Sequence, residues 1–223
     1  MNSRRIGFTG VLVLLCVGFA GVCAAADAVS PQPPQPAEKP AVAATTTLDN
    51  IKTAYLAEFT AQIRYEAFAA KATQEGYKSV AVLFRATAAS QEVLVKKHAA
   101  ALKKWGGLPP MVRKLQPAVG STKENLEAAL AADIGPKNTQ YAAFAKQAEA
   151  DKNTAAVYAF KGAIAAETEY VKFFQQALAD LDGWKAEGKT FAVCEICSFL
   201  VMGPPPATCP VCSAPREKFT IVK

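Results

Sequence analysis

The polar and apolar positions fall into four stretches with the spacing of an α-helix, followed by a tail in which that spacing is lost. In the first stretch Leu48, Ile51, Tyr55, Glu58, Gln62, Tyr65 and Ala69 recur at alternating steps of three and four, which places them on one helix face. Gly76 ends it. In the second, Val80, Phe84, Thr87, Gln91, Leu94, His98, Ala101 and Trp105 keep the same steps until Gly106-Gly107 and Pro109-Pro110 stop the helix. Ser121-Thr122-Lys123-Glu124 has the form of a capping box that opens a third helix, with Leu126, Leu130 and Asp133 on its inner face. Gly135-Pro136 then predicts a kink or break, because proline lacks an N–H and its ring clashes with the preceding turn. Helix resumes through Tyr141 and Phe144. The fourth starts near Asn153 and turns Phe160, Ile164, Glu167, Val171, Phe174 and Leu178 inward. Four amphipathic helices with no strand pattern between them imply an antiparallel bundle over residues 47–183. The stretch from Gly106 to Gly120 is long enough to cross over that bundle. After Gly183, Phe191-Ala192-Val193 and Lys218-Phe219-Thr220-Ile221-Val222 read as short strands in a small domain over 188–223.

Ahead of the helices, Arg4 and Arg5 precede an apolar run from Ile6 to Val22, and small residues at Ala24 and Ala26 suit cleavage before Asp27. Residues 1–26 thus read as a signal peptide for export to the periplasm, by the general secretory or the twin-arginine route. The run is short and glycine-interrupted for a membrane span, so no stable span is expected once the leader is removed. Pro31, Pro33, Pro34, Pro36 and Pro40 mark residues 27–46 as a linker. Loss of Arg4 and Arg5 lowers the formal charge from +6 to +4, and the lysines are scattered along helical faces. That is a solvated basic surface, without the stripe a nucleic-acid partner needs.

Two of the six cysteines, Cys16 and Cys23, lie in the leader; the others form C-x2-C-x11-C-x2-C with Cys194, Cys197, Cys209 and Cys212. Each C-x2-C turn sets two thiolates on one side of a tight knuckle, and two facing knuckles complete a tetrahedron for one metal ion. Disulfides are the alternative that export would permit. Spacing alone leaves iron and zinc open, since both accept four thiolates. Phe191, Phe199 and Phe219 are available to wrap the site in apolar surface.

The tail Phe191-Ala-Val-Cys-Glu-Ile-Cys…Cys209-Pro-Val-Cys-Ser-Ala-Pro-Arg-Glu-Lys-Phe219 resembles the rubredoxin-type domain that closes rubrerythrins, in which four cysteines bind one redox-active iron. The bundle resembles the same family in Ala57-Glu58, Arg64-Tyr65, Glu75-Gly76-Tyr77, Leu83-Phe84-Arg85, Lys123-Glu124-Asn125-Leu126 and Tyr141-x2-Phe144. The resemblance covers about 175 residues. It implies a mainly α chain: a ferritin-like antiparallel four-helix bundle followed by a small rubredoxin-like β domain. One departure is Ser198 and Ser213 after the knuckles, where the family usually has glycine. If those positions are left-handed, serine costs about 1 kcal/mol at each.

Rubrerythrins hold two irons in the bundle, on single glutamates and two Glu-x2-His pairs. Carried over, Glu58 matches the first-helix glutamate, Asp133 stands for a third-helix glutamate, and Pro136 falls where a further carboxylate is expected. One Glu-x2-His pair becomes Gln91-x2-Leu94 and the other Glu167-x2-Tyr170. Both ligand histidines are replaced. The inward carboxylates then need a proton, a residual metal or a hydrogen-bond network with Gln91, Tyr170 and Tyr65. His98, the single histidine, is one turn beyond Leu94 on the same face. It is either a residual ligand or a core residue.

The resemblance implies an exported non-haem iron protein that transfers one electron at an Fe(Cys)4 centre. Peroxide reduction, the family's oxidoreductase activity, is expected to be weak or absent because the di-iron ligands are incomplete. The alternative is a non-catalytic dimeric scaffold with a structural zinc ribbon. A homodimer and an unidentified redox partner follow by analogy.

Overall fold

The computed structural model describes residues 45–113, 116–133, 136–186 and 188–223. The expected leader and the linker up to residue 44 lie outside the described residues, as do the side chains of Asp133 and Pro136. Among the described residues the helical elements come first: α1 (Thr47–Gln74), α2 (Lys78–Lys104), α3 (Thr122–Asp133), α4 (Pro136–Ala150) and α5 (Thr154–Ala179). Strands β1 (Phe191–Cys194), β2 (Leu200–Met202) and β3 (Phe219–Val222) follow. None of the described helices is long and apolar enough to cross a membrane.

Local chemistry sets the helix ends. The Thr46 hydroxyl caps α1 by accepting from the Asp49 N–H at 3.2 Å. Gly76, at φ +81°, closes α1 while the Tyr77 N–H donates to the Ala72 carbonyl at 2.9 Å. The Asn153 side chain caps α5 by accepting from the Ala156 N–H at 3.0 Å. The described helical residues stop at Asp133 and resume at Pro136, so the predicted kink or break at Gly135-Pro136 falls at residues 134 and 135, outside the described residues.

Hydrogen bonds between elements fix the topology. The Thr122 N–H and hydroxyl both donate to the Glu75 carboxylate, at 2.7 and 2.6 Å, so α3 begins beside the end of α1. Thr47 donates to Asp151 at 2.6 Å, so α4 finishes beside the start of α1. The segment after α2 therefore traverses the bundle before α3 begins, as the length from Gly106 to Gly120 suggested. Trp105 departs from its expected inward place: it is 39% exposed, because α2 ends at Lys104.

The sheet has the order β2-β1-β3, with both neighbours antiparallel to β1 and Phe191 opposite Met202 on one side and Val222 on the other. Every residue of β1 is buried, because both of its faces are covered. Phe191 and Val193 share one core with Phe173, Trp184 and much of α1 and α2. Ala192 and Cys194 face the other way, into the cysteine cluster. Phe191 thus packs edge-on against Phe173, ring centroids 5.3 Å apart, instead of wrapping the cysteines. That role falls to Phe199 and Phe219.

Candidate metal centre and the buried bundle cluster

The two knuckles are built alike. The Cys194 N–H donates to the Phe199 carbonyl at 2.9 Å and the Cys209 N–H to the Ala214 carbonyl at 2.7 Å. The Ser198 N–H closes the first turn on the Cys194 carbonyl at 2.8 Å, and the Ser213 N–H closes the second on that of Cys209 at 2.9 Å. Closing them requires left-handed backbone, and Ser198 and Ser213 adopt φ +71° and +58°. Two residues that pay about 1 kcal/mol each are held there by the turns around them.

The four thiols are free and their sulfurs lie within 4.8 Å of one another. Cys194 and Cys212 are 3.7 Å apart and Cys197 and Cys209 3.4 Å. A tetrahedron with metal–sulfur bonds of about 2.3 Å has edges of about 3.8 Å, so the sulfurs fit one ion. Donation from the Cys197 thiol and from the backbone N–H groups of Cys197 and Ile196 brings Cys194 down to about 5. Its thiolate in turn pushes Cys197 up, with burial adding to the effect. Burial raises Cys212.

The first knuckle is seated on the bundle. Lys97 on α2 donates to the Ile196 carbonyl at 2.5 Å, and the Ser90 hydroxyl, also on α2, donates to that of Ser198. Tyr170 on α5 meets the same Ser90 hydroxyl at 2.5 Å. Gly162 on α5 makes the approach possible, since a Cβ there would lie 3.1 Å from the Cys197 carbonyl oxygen.

Inside the bundle, Glu58 on α1 and Glu167 on α5 are fully buried. Lys137, in the first turn of α4, places its amine 3.1 Å from Glu58 Oε2 and against Glu167 Oε1. Tyr141 donates to Glu58 Oε1 at 2.7 Å. Leu94 is fully buried. Gln91 is also buried, and its amide has no hydrogen-bond partner among the described residues. The same holds for the Tyr65 hydroxyl, whose ring lies in the aromatic core 6.0 Å from Phe84. His98 is buried between Tyr141 and Phe160, with ring centroids at 6.4 and 5.4 Å. Neither of its nitrogens has a partner among the described residues. Burial holds the imidazole down to about 4, opposed by Glu58 and reinforced by Lys137 and Lys97. Asp133 closes α3, and its side chain lies outside the described residues.

The rubrerythrin family profile matches residues 49–178, more than half of the chain. The chain belongs to the rubrerythrin family. Nigerythrin of Nitratidesulfovibrio vulgaris is 31% identical over 177 residues, which cover 78% of this chain and 86% of that protein. A Porphyromonas gingivalis rubrerythrin is 30% identical over 177 residues, covering 76% and 86%. Nigerythrin solved in a partially reduced state aligns with a TM-score of 0.71 at 31% identity, over 81% of this chain and 88% of that one. A Mycobacterium tuberculosis bacterioferritin aligns at a TM-score of 0.56 and 19% identity, over 61% and 86%, and shares the bundle fold.

As a rubrerythrin the chain is an iron-binding protein, and its four-cysteine cluster suits that metal. The bundle donors do not suit the family's pair of irons. Leu94 offers no lone pair, Gln91 only a neutral carbonyl, and an ammonium lies against both carboxylates. Compensation by Lys137 was not legible from helical spacing, which carried only the carboxylates and Gln91, Tyr170 and Tyr65. Its one signal is a lysine directly after Pro136, where a further carboxylate was expected. Gly162 was missed too, although a lone glycine inside an apolar helical pattern signals close packing.

His98 generates a pH prediction. Its folded value, about 4, lies below its ordinary value of 6.5. The unfolded chain therefore takes up the extra proton as pH falls between the two. The His98 contribution is intact above about pH 6.5 and is lost toward pH 4. Between pH 7 and pH 4 the native protein should lose about 3 kcal/mol more stability than His98→Phe, read by denaturant unfolding. Equal losses in the two proteins would refute this.

Proposed function

We propose that the protein is an exported one-electron carrier with a single Fe(Cys)4 centre, and that its bundle reduces hydrogen peroxide weakly or not at all. The observation that carries this reading is the contrast between its two clusters. Four sulfurs lie at metal-binding separations, whereas the carboxylates of the bundle are engaged by Lys137.

Iron on four thiolates supplies a one-electron couple. The chain's part is to aim backbone N–H groups at the sulfurs and to keep them dry. N–H groups of Ile196 and Cys197 point at the Cys194 sulfur, that of Phe199 at Cys197 and that of Ala214 at Cys212. Phe199, Val201 and Phe219 pack around them. Such donors and apolar cover set a thiolate centre's potential. Cys212 is half-buried, and Ile196 and Val211 beside the knuckles are exposed, which leaves an edge for a redox partner.

Protein purified from its own host compartment should carry one iron per chain and absorb strongly in the visible when oxidised. Peroxide added to the reduced form should reoxidise that iron without fast multiple turnover. Rapid turnover would reject the carrier reading, and colourless zinc protein would favour the scaffold.

Export belongs to the same proposal. A thiolate site filled before translocation escapes disulfide formation in an oxidising compartment, which favours the twin-arginine route for the 1–26 leader. Arg4→Lys with Arg5→Lys should then retain the protein in the cytoplasm by fractionation; undiminished export would assign the general secretory route.

We also propose a homodimer with head-to-tail bundles. Light scattering of the mature protein should give twice the chain mass, and a monomer at working concentration would remove the dimer.

A further inference from the structure

Glu58 and Glu167 have no exposed side-chain surface, and Lys137 is 13% exposed. Its ammonium lies 3.1 Å from one carboxylate and against the other, with the Tyr141 ring centroid 5.4 Å away. Two carboxylates and an aromatic face therefore surround one cation. The bundle interior also buries polar groups without a hydrogen-bond partner among the described residues. Both nitrogens of buried His98 and both polar atoms of the buried Gln91 amide are unbonded among the described residues. Carboxylate oxygens are donors that a divalent ion accepts.

We infer that Lys137 is the resident cation of the bundle, and that it keeps closed a latent divalent-cation site on the Glu58 and Glu167 carboxylates. This rests on the reading that the bundle holds no metal pair, and it names the group responsible. An ammonium gives two buried carboxylates the positive charge that a metal would give, and it needs no further ligands. Deleting it strands the carboxylates in an apolar interior, the costly half of breaking a buried ion cluster. The vacated space is then lined by two anionic oxygen groups, which suits a hard divalent ion.

The test uses full-length mature protein with its four-cysteine site filled by zinc, so that added Mn2+ reports the bundle alone. The outcome then does not depend on which metal fills the cysteines in the cell or on any peroxide activity. Native protein in 1 mM Mn2+ should bind none by electron paramagnetic resonance and should keep its Tm. Lys137→Ala should bind at least one Mn2+ per chain and gain roughly 5 °C in Tm from it. Adding Glu58→Gln to that variant should abolish both effects. Mn2+ uptake by native protein, or none by folded Lys137→Ala, would overturn the inference.

A thermal cycle covers the case in which Lys137→Ala does not fold. Lys137→Met should lower the Tm by roughly 10 °C. Glu58→Gln and Glu167→Gln added to it should restore at least half of that loss, because no charge is then left unpaired. Absence of recovery would show that Lys137 is not the counter-cation of the pair.

Discussion

Two carboxylates cannot be buried between helices unless something positive meets them, and the bundle interior is arranged around that requirement. Glu58 and Glu167 come from α1 and α5. The cation comes from α4. Lys137 and Tyr141 stand four residues apart on one face of α4, and both reach Glu58. The same face then continues through Phe144, Ala145 and Ala148 into the core around Phe160. Helix α4 thus delivers charge compensation to the middle of the bundle.

The cysteine cluster depends on the bundle in a different way. Its knuckles are closed by their own backbone, but the first knuckle is held in place by Ser90, Lys97 and the bare surface at Gly162. Through Ser90, the carbonyl of Ser198 is joined to the Tyr170 hydroxyl. Tyr170, the position to which the resemblance assigns a family histidine, thus belongs to the seat of the cysteine centre.

Much of this was legible in the sequence. The alternating three-and-four steps located the helices, the cysteine spacing located the knuckles, and the family resemblance drew attention to Ser198 and Ser213, which are left-handed. These signals are local, and local sequence writes them plainly. What could not be read depends on contacts between distant segments. A lysine at the start of a helix looks like a solvated charge until α1 and α5 close over it, and Glu58 lies 79 residues from Lys137. Phe191 was assigned to the cysteines by proximity along the chain. Alternation along β1 sends it to the bundle instead, because its neighbour Ala192 takes the cysteine side. Strand β2, Leu200–Met202, is too short for any period to show.

The single core that joins β1 to the helices has a further effect. With Phe191, Val193 and Leu200 packed among residues of α1, α2 and α5, the small sheet is part of the cover of the bundle. A sheet of three short strands has little cohesion of its own. A molecule that never acquires its ion would shed this cover and display an oily seam to chaperones and proteases. Cofactor supply would then govern how long each polypeptide survives, as well as whether it can carry an electron.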